Sequence, residues 1–426
     1  MIGLVPRTHG FFSAFVLLFA ACAPLRADDV SVEKVFAAVP FAQWVKQGPQ
    51  APVPWKVRMR SYGLSLHQRL QARIEVELSG SDLVGRSQAA RIVVLVQLTD
   101  AAGQSFHDYN LLRLKNMPPE IKKKPVILYW DMFVLPGEYS VTVALVDDKS
   151  MEHNLMQTTL RVEPPKNDPL PRAWAGLPSV EFWMPNMEGP DYLFRSDITS
   201  KLHLPLTPKH QVRLELLADV TASDLFRGST RFYNRYLSVV LPLLKALSQI
   251  DLDHGSLNVA MLDLRRRRVT FEQDSVKELD WPRAKTVLAP ENGPAMIDIV
   301  ALEQKRESPV FLQDELLRRL NASVQDPPAD ADHAQPAADA IHVFVVIGSP
   351  MDFYSFRNLP RLTPGTQEKC IVYYLQFELL NTQYADGALG SVRNMLRPLP
   401  VRTFKVRSAE SIRHALAKIL EEVANM

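Results

Sequence analysis

At 426 residues the chain is too long for one ordinary hydrophobic core, so two or more domains are expected. Its 46% hydrophobic and 23% charged content is that of a globular protein, and a net charge of +2 argues against a dedicated nucleic-acid binder, which concentrates basic charge. With 32 prolines against 17 glycines, extended segments and stiff connectors are favoured over long helices.

The amino terminus reads as a targeting segment. Arg7 and His9 precede an apolar run from Phe11 to Ala23, and Leu25-Arg26-Ala27 places a small residue before Asp28-Asp29. That three-part pattern is a secretory signal over residues 1–27 and implies a secreted or periplasmic product. In a second reading, Phe19-Ala20-Ala21-Cys22 resembles a bacterial lipoprotein box with Phe for the usual Leu, and Cys22 would carry a lipid anchor to the cell envelope. No later stretch reaches about 18 apolar residues, so no transmembrane segment is expected beyond the signal. Past the signal only Cys370 remains, inside an apolar run, and it reads as a buried small hydrophobe.

After an amphipathic lead-in anchored by Val35, Phe36, Val39, Phe41 and Trp44, the apolar period drops to two. Leu70, Ala72, Ile74, Val76 and Leu78 alternate with Gln71, Arg73, Glu75 and Glu77, the pattern of a half-buried strand. Further strands are expected at residues 90–99, 126–130, 139–146 and 155–162, with Pro136-Gly137 and Asp147-Asp148-Lys149-Ser150 as turns. Residues 55–164 therefore predict an all-β sandwich. Pro136-Gly137-Glu138-Tyr139-Ser140-Val141-Thr142-Val143 resembles the last hairpin of bacterial immunoglobulin-like modules. Residues 165–208 are Pro-rich and read as a linker, with Trp174, Phe182, Trp183 and Tyr192 spaced along an arm packed on a domain.

From residue 209 to 426 strand and helix patterns alternate. Strands are expected at 212–218, 257–262, 269–271, 341–347, 370–377 and 401–406. Helical spacing appears at 226–250 (with Pro242 predicting a kink or late start), 275–288, 295–306, 311–324 and after Ser408. The alternation predicts an α/β doubly wound domain, a parallel sheet covered on both faces. The run Arg265 to Arg268 reads as a hairpin tip in solvent, with a nucleic-acid or acidic-partner patch as the alternative, and residues 326–339 as a low-complexity loop.

The first of these strands ends in Asp219-Val220-Thr221-Ala222-Ser223. Asp, Thr and Ser offer hard oxygen ligands suited to Mg²⁺ or another divalent cation, and ligands bind at the carboxyl edge of open α/β sheets. The pattern resembles the metal-ion-dependent adhesion site of von Willebrand factor A domains, Asp-x-Ser-x-Ser, with Thr221 keeping the hydroxyl. Together with the signal and the β-rich module, it is similar to acidobacterial von Willebrand factor A-related proteins.

The resemblance implies that Asp219, Thr221 and Ser223 share an ion with a Thr on a second loop and an Asp on a third. It also implies that the ion keeps a position open for a partner's carboxylate. Here Pro294 stands where the second loop has Thr, and Ser349 stands about where the third has Asp, leaving Asp352 three residues further on as its substitute. The site is thus expected to be degenerate. A haloacid-dehalogenase-like nucleophile at Asp219 would want a second Asp at 221, and no phosphate loop, His-Glu-x-x-His or Gly-x-Ser-x-Gly elbow is present. The expected function is that of a non-enzymatic, exported protein-binding or adhesion-type protein with no nucleic-acid partner. A metal-free scaffold of the cell envelope is the alternative.

Overall fold

Leu70, Ala72, Ile74, Val76 and Leu78 are almost wholly buried while the residues between them face outward, so one strand covers the core with one face only. The computed structural model describes residues 31–86, 90–115, 117–183, 198–221, 230–264, 266–288, 308–322, 340–348, 370–377, 392, 396 and 399–426. The signal segment with Cys22, the helical stretch expected at 295–306 and the loop at 326–339 lie outside the described residues.

Two short helices, α1 (Val32–Ala37) and α2 (Phe41–Gln47), open the described chain. One antiparallel sheet joins β1 (Trp55–Leu64), β2 (Leu70–Ser79), β5 (Pro125–Val134) and β8 (Val180–Trp183) in that spatial order, with helix α3 (Gly80–Gly85) leaving β2. A second joins β4 (Ser105–Arg113), β3 (Arg91–Thr99), β6 (Gly137–Asp147) and β7 (His153–Val162). Asp100 forms the β3–β4 turn by accepting hydrogen bonds from the Ala102 and Gln104 amides at 3.0 and 2.9 Å. Strand β4 and helix α3 were not anticipated. The polar residues of Ser105–Arg113 mask its pairing, which depends on the β3 register.

A third sheet holds six strands in the order β13 (Arg268–Gln273), β12 (Gly255–Asp263), β10 (Val212–Asp219), β14 (Ile341–Gly348), β15 (Cys370–Phe377) and β16 (Val401–Val406). All its pairs are parallel except β12 with β13. Short strands β9 (Leu204–Leu206) and β11 (Ile250–Leu252) pair beside it. The described helices here are α4 (Thr230–Leu247), α5 (Trp281–Leu288), α6 (Ser308–Ala322) and α7 (Ala409–Ala424).

The expectation of a doubly wound α/β fold of von Willebrand factor A type, set beside one sandwich, is overturned. Among the described residues strand exceeds helix, 44% against 26%, and two four-stranded antiparallel sheets stand beside the mixed six-stranded one, so the chain is mostly β with few helices. The physical reason is that tight turns suffice for antiparallel pairing, whereas parallel strands need long crossovers, and the strands of residues 55–183 all pair antiparallel. Residues 275–288 illustrate it. Ser275 sits at a left-handed φ of 50°, its amide bonded to Asn258 Oδ1, so only Trp281–Leu288 is helical. Pro242, in contrast, is accommodated inside α4.

One core runs unbroken from the first two sheets through Trp174, Leu177 and Leu202 to the face of the third sheet that carries Leu214, Leu216, Val345 and α7. Its seam is polar. Arg413 of α7 is buried and donates to both oxygens of Asp168 at 2.5 and 2.9 Å, to the Leu170 carbonyl at 2.7 Å and to the Gln68 carbonyl at 3.3 Å. Its guanidinium also lies 4.4 Å from the Trp174 ring centre, and the Trp174 indole donates to the same Gln68 carbonyl at 2.8 Å. Gln68 holds a left-handed φ of 61° and sends its side-chain amide to the Ala409 carbonyl. Burial alone would raise the Asp168 carboxyl, but Arg413 and the Leu170 amide hold it below the usual range.

Removing one partner of a buried ion pair leaves the other charge uncompensated, which costs roughly 3–5 kcal/mol. Arg413→Ala is therefore expected to lower the free energy of unfolding by about that amount in equilibrium urea titrations. A loss under about 1 kcal/mol, the scale of a solvated pair, would contradict the buried geometry.

Candidate functional site

Strand β10 lies in the middle of the six-stranded sheet, so its side chains alternate between two covered faces. Leu214, Leu216 and Ala218 enter the large core, while Leu217 joins a second cluster with Leu312, Leu316 and Phe344. Glu215 points to that second face. It accepts from Asn258 at 2.7 Å and Arg213 at 2.8 Å, and pairs with buried Arg319 of α6 at 2.9 Å. Arg319 also reaches Glu315 at 2.8 Å and Glu272 at 2.7 Å, so the charges are satisfied by one another. By the same alternation Asp219 arrives on this face at the carboxyl end.

Asp219 is 2% exposed. One carboxylate oxygen, Oδ1, accepts the Thr221 amide at 2.9 Å in a local Asx turn. Its carbonyl accepts the Tyr236 hydroxyl of α4 at 2.7 Å, fixing the strand end against the helix. The other oxygen, Oδ2, is buried and has no hydrogen-bond partner among the described residues. Gly348, ending β14, lies alongside: a Cβ there would sit 3.2 Å from the Asp219 Cβ and 3.5 Å from Oδ2.

Thr221 is buried, and its hydroxyl accepts the Leu264 amide at 2.8 Å, while the Val220 amide donates to the Leu262 carbonyl at 2.9 Å. The Asp219 turn is thereby laced to the end of β12. Burial pushes the Asp219 carboxyl up to about 7, hydrogen bonding from Thr221 opposes the rise, and the nearby Asp263 charge adds to it. Buried Tyr374 on β15 is pushed up by its own desolvation and then by the Asp219 charge.

Of the expected site residues, the structure brings Asp219 and Thr221 together. Ser223 and Asp352 lie outside the described residues, as do Pro294 and Ser349. Among the described residues no three of His, Cys, Asp and Glu come together as a metal cluster. The reading of sequence missed Tyr236, Gly348, Leu264 and Asp263. Asp263 carried a usable signal, since it ends an apolar strand as Asp219 does; the contacts of Tyr236 and Leu264 depend on tertiary packing.

No family model matches the chain, and no curated protein matches it in sequence. Solved structures do match in shape. The ArnB paralog VWA2 from Sulfolobus acidocaldarius is 5% identical, with 66% of this chain and 50% of that one covered, at a TM-score of 0.28. The PilB minor pilin from Streptococcus sanguinis is 10% identical over 78% of this chain and 87% of that one, at 0.26. The putative ApaA protein from Bordetella pertussis is 12% identical over 28% of this chain and all of that one, at 0.18. The chain thus spans about half the length of the first of these and most or all of the other two. The likenesses are distant, and nothing about activity is drawn from them. No helix among the described residues is long and apolar enough to cross a membrane.

The sign of the Asp219 effect is fixed by its elevated pKa. An unfolded Asp titrates near 3.9 and the folded one at about 7, so the folded state holds the proton more tightly. Its contribution is complete below about pH 4, falls as pH rises to about 7, and amounts to roughly 4 kcal/mol across that window. Asp219→Asn is expected to abolish this share of the pH dependence and to be more stable than wild type at pH 8 in chemical denaturation. Parallel wild-type and variant curves between pH 4 and 8 would contradict it.

Proposed function

We propose that this is an exported, non-enzymatic binding protein that presents the carboxyl edge of its mixed sheet to a protein partner, with a divalent cation such as Mg²⁺ at Asp219. The observation that carries the reading is the buried Asp219 Oδ2, for which the described residues provide no donor. An ionised carboxylate withdrawn from water must find a proton, a donor or a cation, because desolvating it otherwise costs several kcal/mol.

The chemistry of the donors fits a hard cation. Asp219 Oδ2 is a carboxylate oxygen with unused lone pairs, and the Thr221 hydroxyl, although it accepts the Leu264 amide, retains a second lone pair. In this reading Ser223 and Asp352 complete the protein's share, as the sequence pattern suggests. The ion, when bound, supplies a coordination position for an acidic group of the partner. Asp219, held by Thr221 and Tyr236, fixes where that position lies. Export follows from the signal pattern at residues 1–27, with the lipid anchor at Cys22 as its tethered form.

A metal-free scaffold of the cell envelope is the second reading, and the carboxyl's rise to about 7 favours it, since a proton then serves in place of the ion near neutrality. Cation dependence separates the two. At pH 8, Mg²⁺ or Mn²⁺ at a hundredfold excess over its Kd is expected to stabilise the wild type by about 2.7 kcal/mol, seen as a raised Tm, and to leave Asp219→Asn unmoved. No shift in the wild type, or the same shift in both proteins, would reject cation binding at Asp219.

A further inference from the structure

Strand β1 is one edge of the first antiparallel sheet, and among the described residues it pairs with β2 alone. An edge strand turns half of its backbone N–H and C=O groups outward, where another chain can bond them as water does. The inward side of β1 is open as well. Trp55, Val57 and Met59 lie against the large core yet stay only half-buried. Their register partners on β2, Leu78, Val76 and Ile74, are almost wholly buried. A further strand laid along β1 covers that apolar rim and satisfies the outward backbone groups.

The outward-facing residues of the same strand select which strand can bind. Lys56, Arg58 and Arg60 alternate along it and are exposed, the first two with 67% and 49% of their side chains open to solvent. Lys56 and Arg58 share a single carboxylate, Glu77, at 3.3 and 3.1 Å. Arg60 stands opposite Arg73, which is committed to Asp131 at 2.6 and 2.7 Å, and has no ion pair among the described residues. These charges oppose a second copy of the chain as occupant. Two β1 strands paired antiparallel set Lys56, Arg58 and Arg60 against one another, and like charges directly opposite destabilise a sheet. A strand of opposite charge meets no such penalty. Beyond Ser61 the register slips at a bulge holding Tyr62, so the regular edge runs from Trp55 to Ser61.

We infer that β1 is a docking edge for an extended segment of another protein, one that alternates acidic and apolar residues. The segment's main chain extends the sheet, its acidic side chains meet Lys56, Arg58 and Arg60, and its apolar side chains close over Trp55, Val57 and Met59. Guanidinium forks match carboxylates two bonds at a time, which favours Asp and Glu at the facing positions. Three cations on one short strand make few contacts to a phosphate backbone, and the chain's net charge of +2 supplies no wider basic field for nucleic acid. This edge is separate from Asp219 and needs neither the cation nor the function proposed above.

The full chain titrated with the fluorescent, end-blocked peptide Glu-Val-Glu-Val-Glu-Val-Glu tests this at about 0.01 M salt, where charge is least screened. Two copies accompany it, one with Lys for Glu and one N-methylated throughout, which keeps the charge but cannot donate to a sheet. The parent peptide is expected to bind and to slow hydrogen exchange of amides within Trp55–Ser61. Both copies are expected to bind about tenfold or more weakly, since main-chain pairing and charge are both needed. The triple variant K56S/R58S/R60S is expected to lose about tenfold for the parent peptide, with the difference shrinking as salt rises. Arg60→Ser removes no ion pair and is expected to lose about threefold, so the test survives if the triple variant unfolds. Asp219→Asn is expected to bind as wild type does. Equal binding of either copy, no loss in the Arg60 and triple variants, or no new protection in β1 would overturn the inference. So would β1-dependent binding of duplex DNA tighter than that of the peptide, or sedimentation of the free protein as a dimer with its β1 amides protected.

Discussion

A carboxylate sealed at the end of a central strand has to be neutralised, and the carboxyl edge of the mixed sheet is arranged around that requirement. Asp219 spends one oxygen on its own turn and leaves the other beside Gly348, where a Cβ would press on the Asp219 Cβ at 3.2 Å. Glu215, four residues earlier on the same face, meets the same constraint differently. It lies within a closed set of donors from Arg213, Asn258 and Arg319 and is satisfied without help. Two buried acids share one face, and among the described residues Glu215 is partnered at both oxygens while Asp219 Oδ2 is not.

The Asp219 end of the strand is tied down by hydrogen bonds. Tyr236 clamps the Asp219 carbonyl, the Leu264 amide and the Thr221 hydroxyl lace β10 to β12, and the helices behind them share one core with the first two sheets. Arg413 seals that shared core by uniting Asp168, Leu170, Gln68 and Trp174 in one buried contact. The cost of desolvating the guanidinium is offset only because its hydrogen-bonding face and its flat face are both occupied. Motion at the seam would be felt in α7 and hence along the face of the sheet that carries Leu214 and Leu216.

Much of this was legible in the sequence, and the reasons for what was not are physical. Period-two burial made β2 readable residue by residue, and the apolar runs of β10, β14 and β15 showed strands covered on both faces. The run's end at Asp219 could be read because a charge at the close of an apolar strand has few uses. Strand β4 was hidden, since Ser105–Arg113 owes its conformation to β3 beside it more than to its own composition. The helix expected from residue 275 failed at one left-handed residue, Ser275, a backbone detail that periodicity does not carry. The doubly wound class failed for a related reason: pattern shows where strands lie, while turn chemistry and packing decide how many of them pair antiparallel. Tyr236 and Gly348 at the site, and Gln68 at the seam, take their roles from neighbours distant in sequence.

The central claim is that Asp219 is buried with one carboxyl oxygen, Oδ2, that finds no partner among the described residues. It is tested most directly by following that carboxyl by carbon-detected NMR across pH 3 to 9, with and without Mg²⁺. The account predicts a midpoint near 7 in the absence of the ion, falling when Mg²⁺ is added as the cation takes the proton's place. A midpoint near the ordinary value of about 3.9 in both conditions would contradict it.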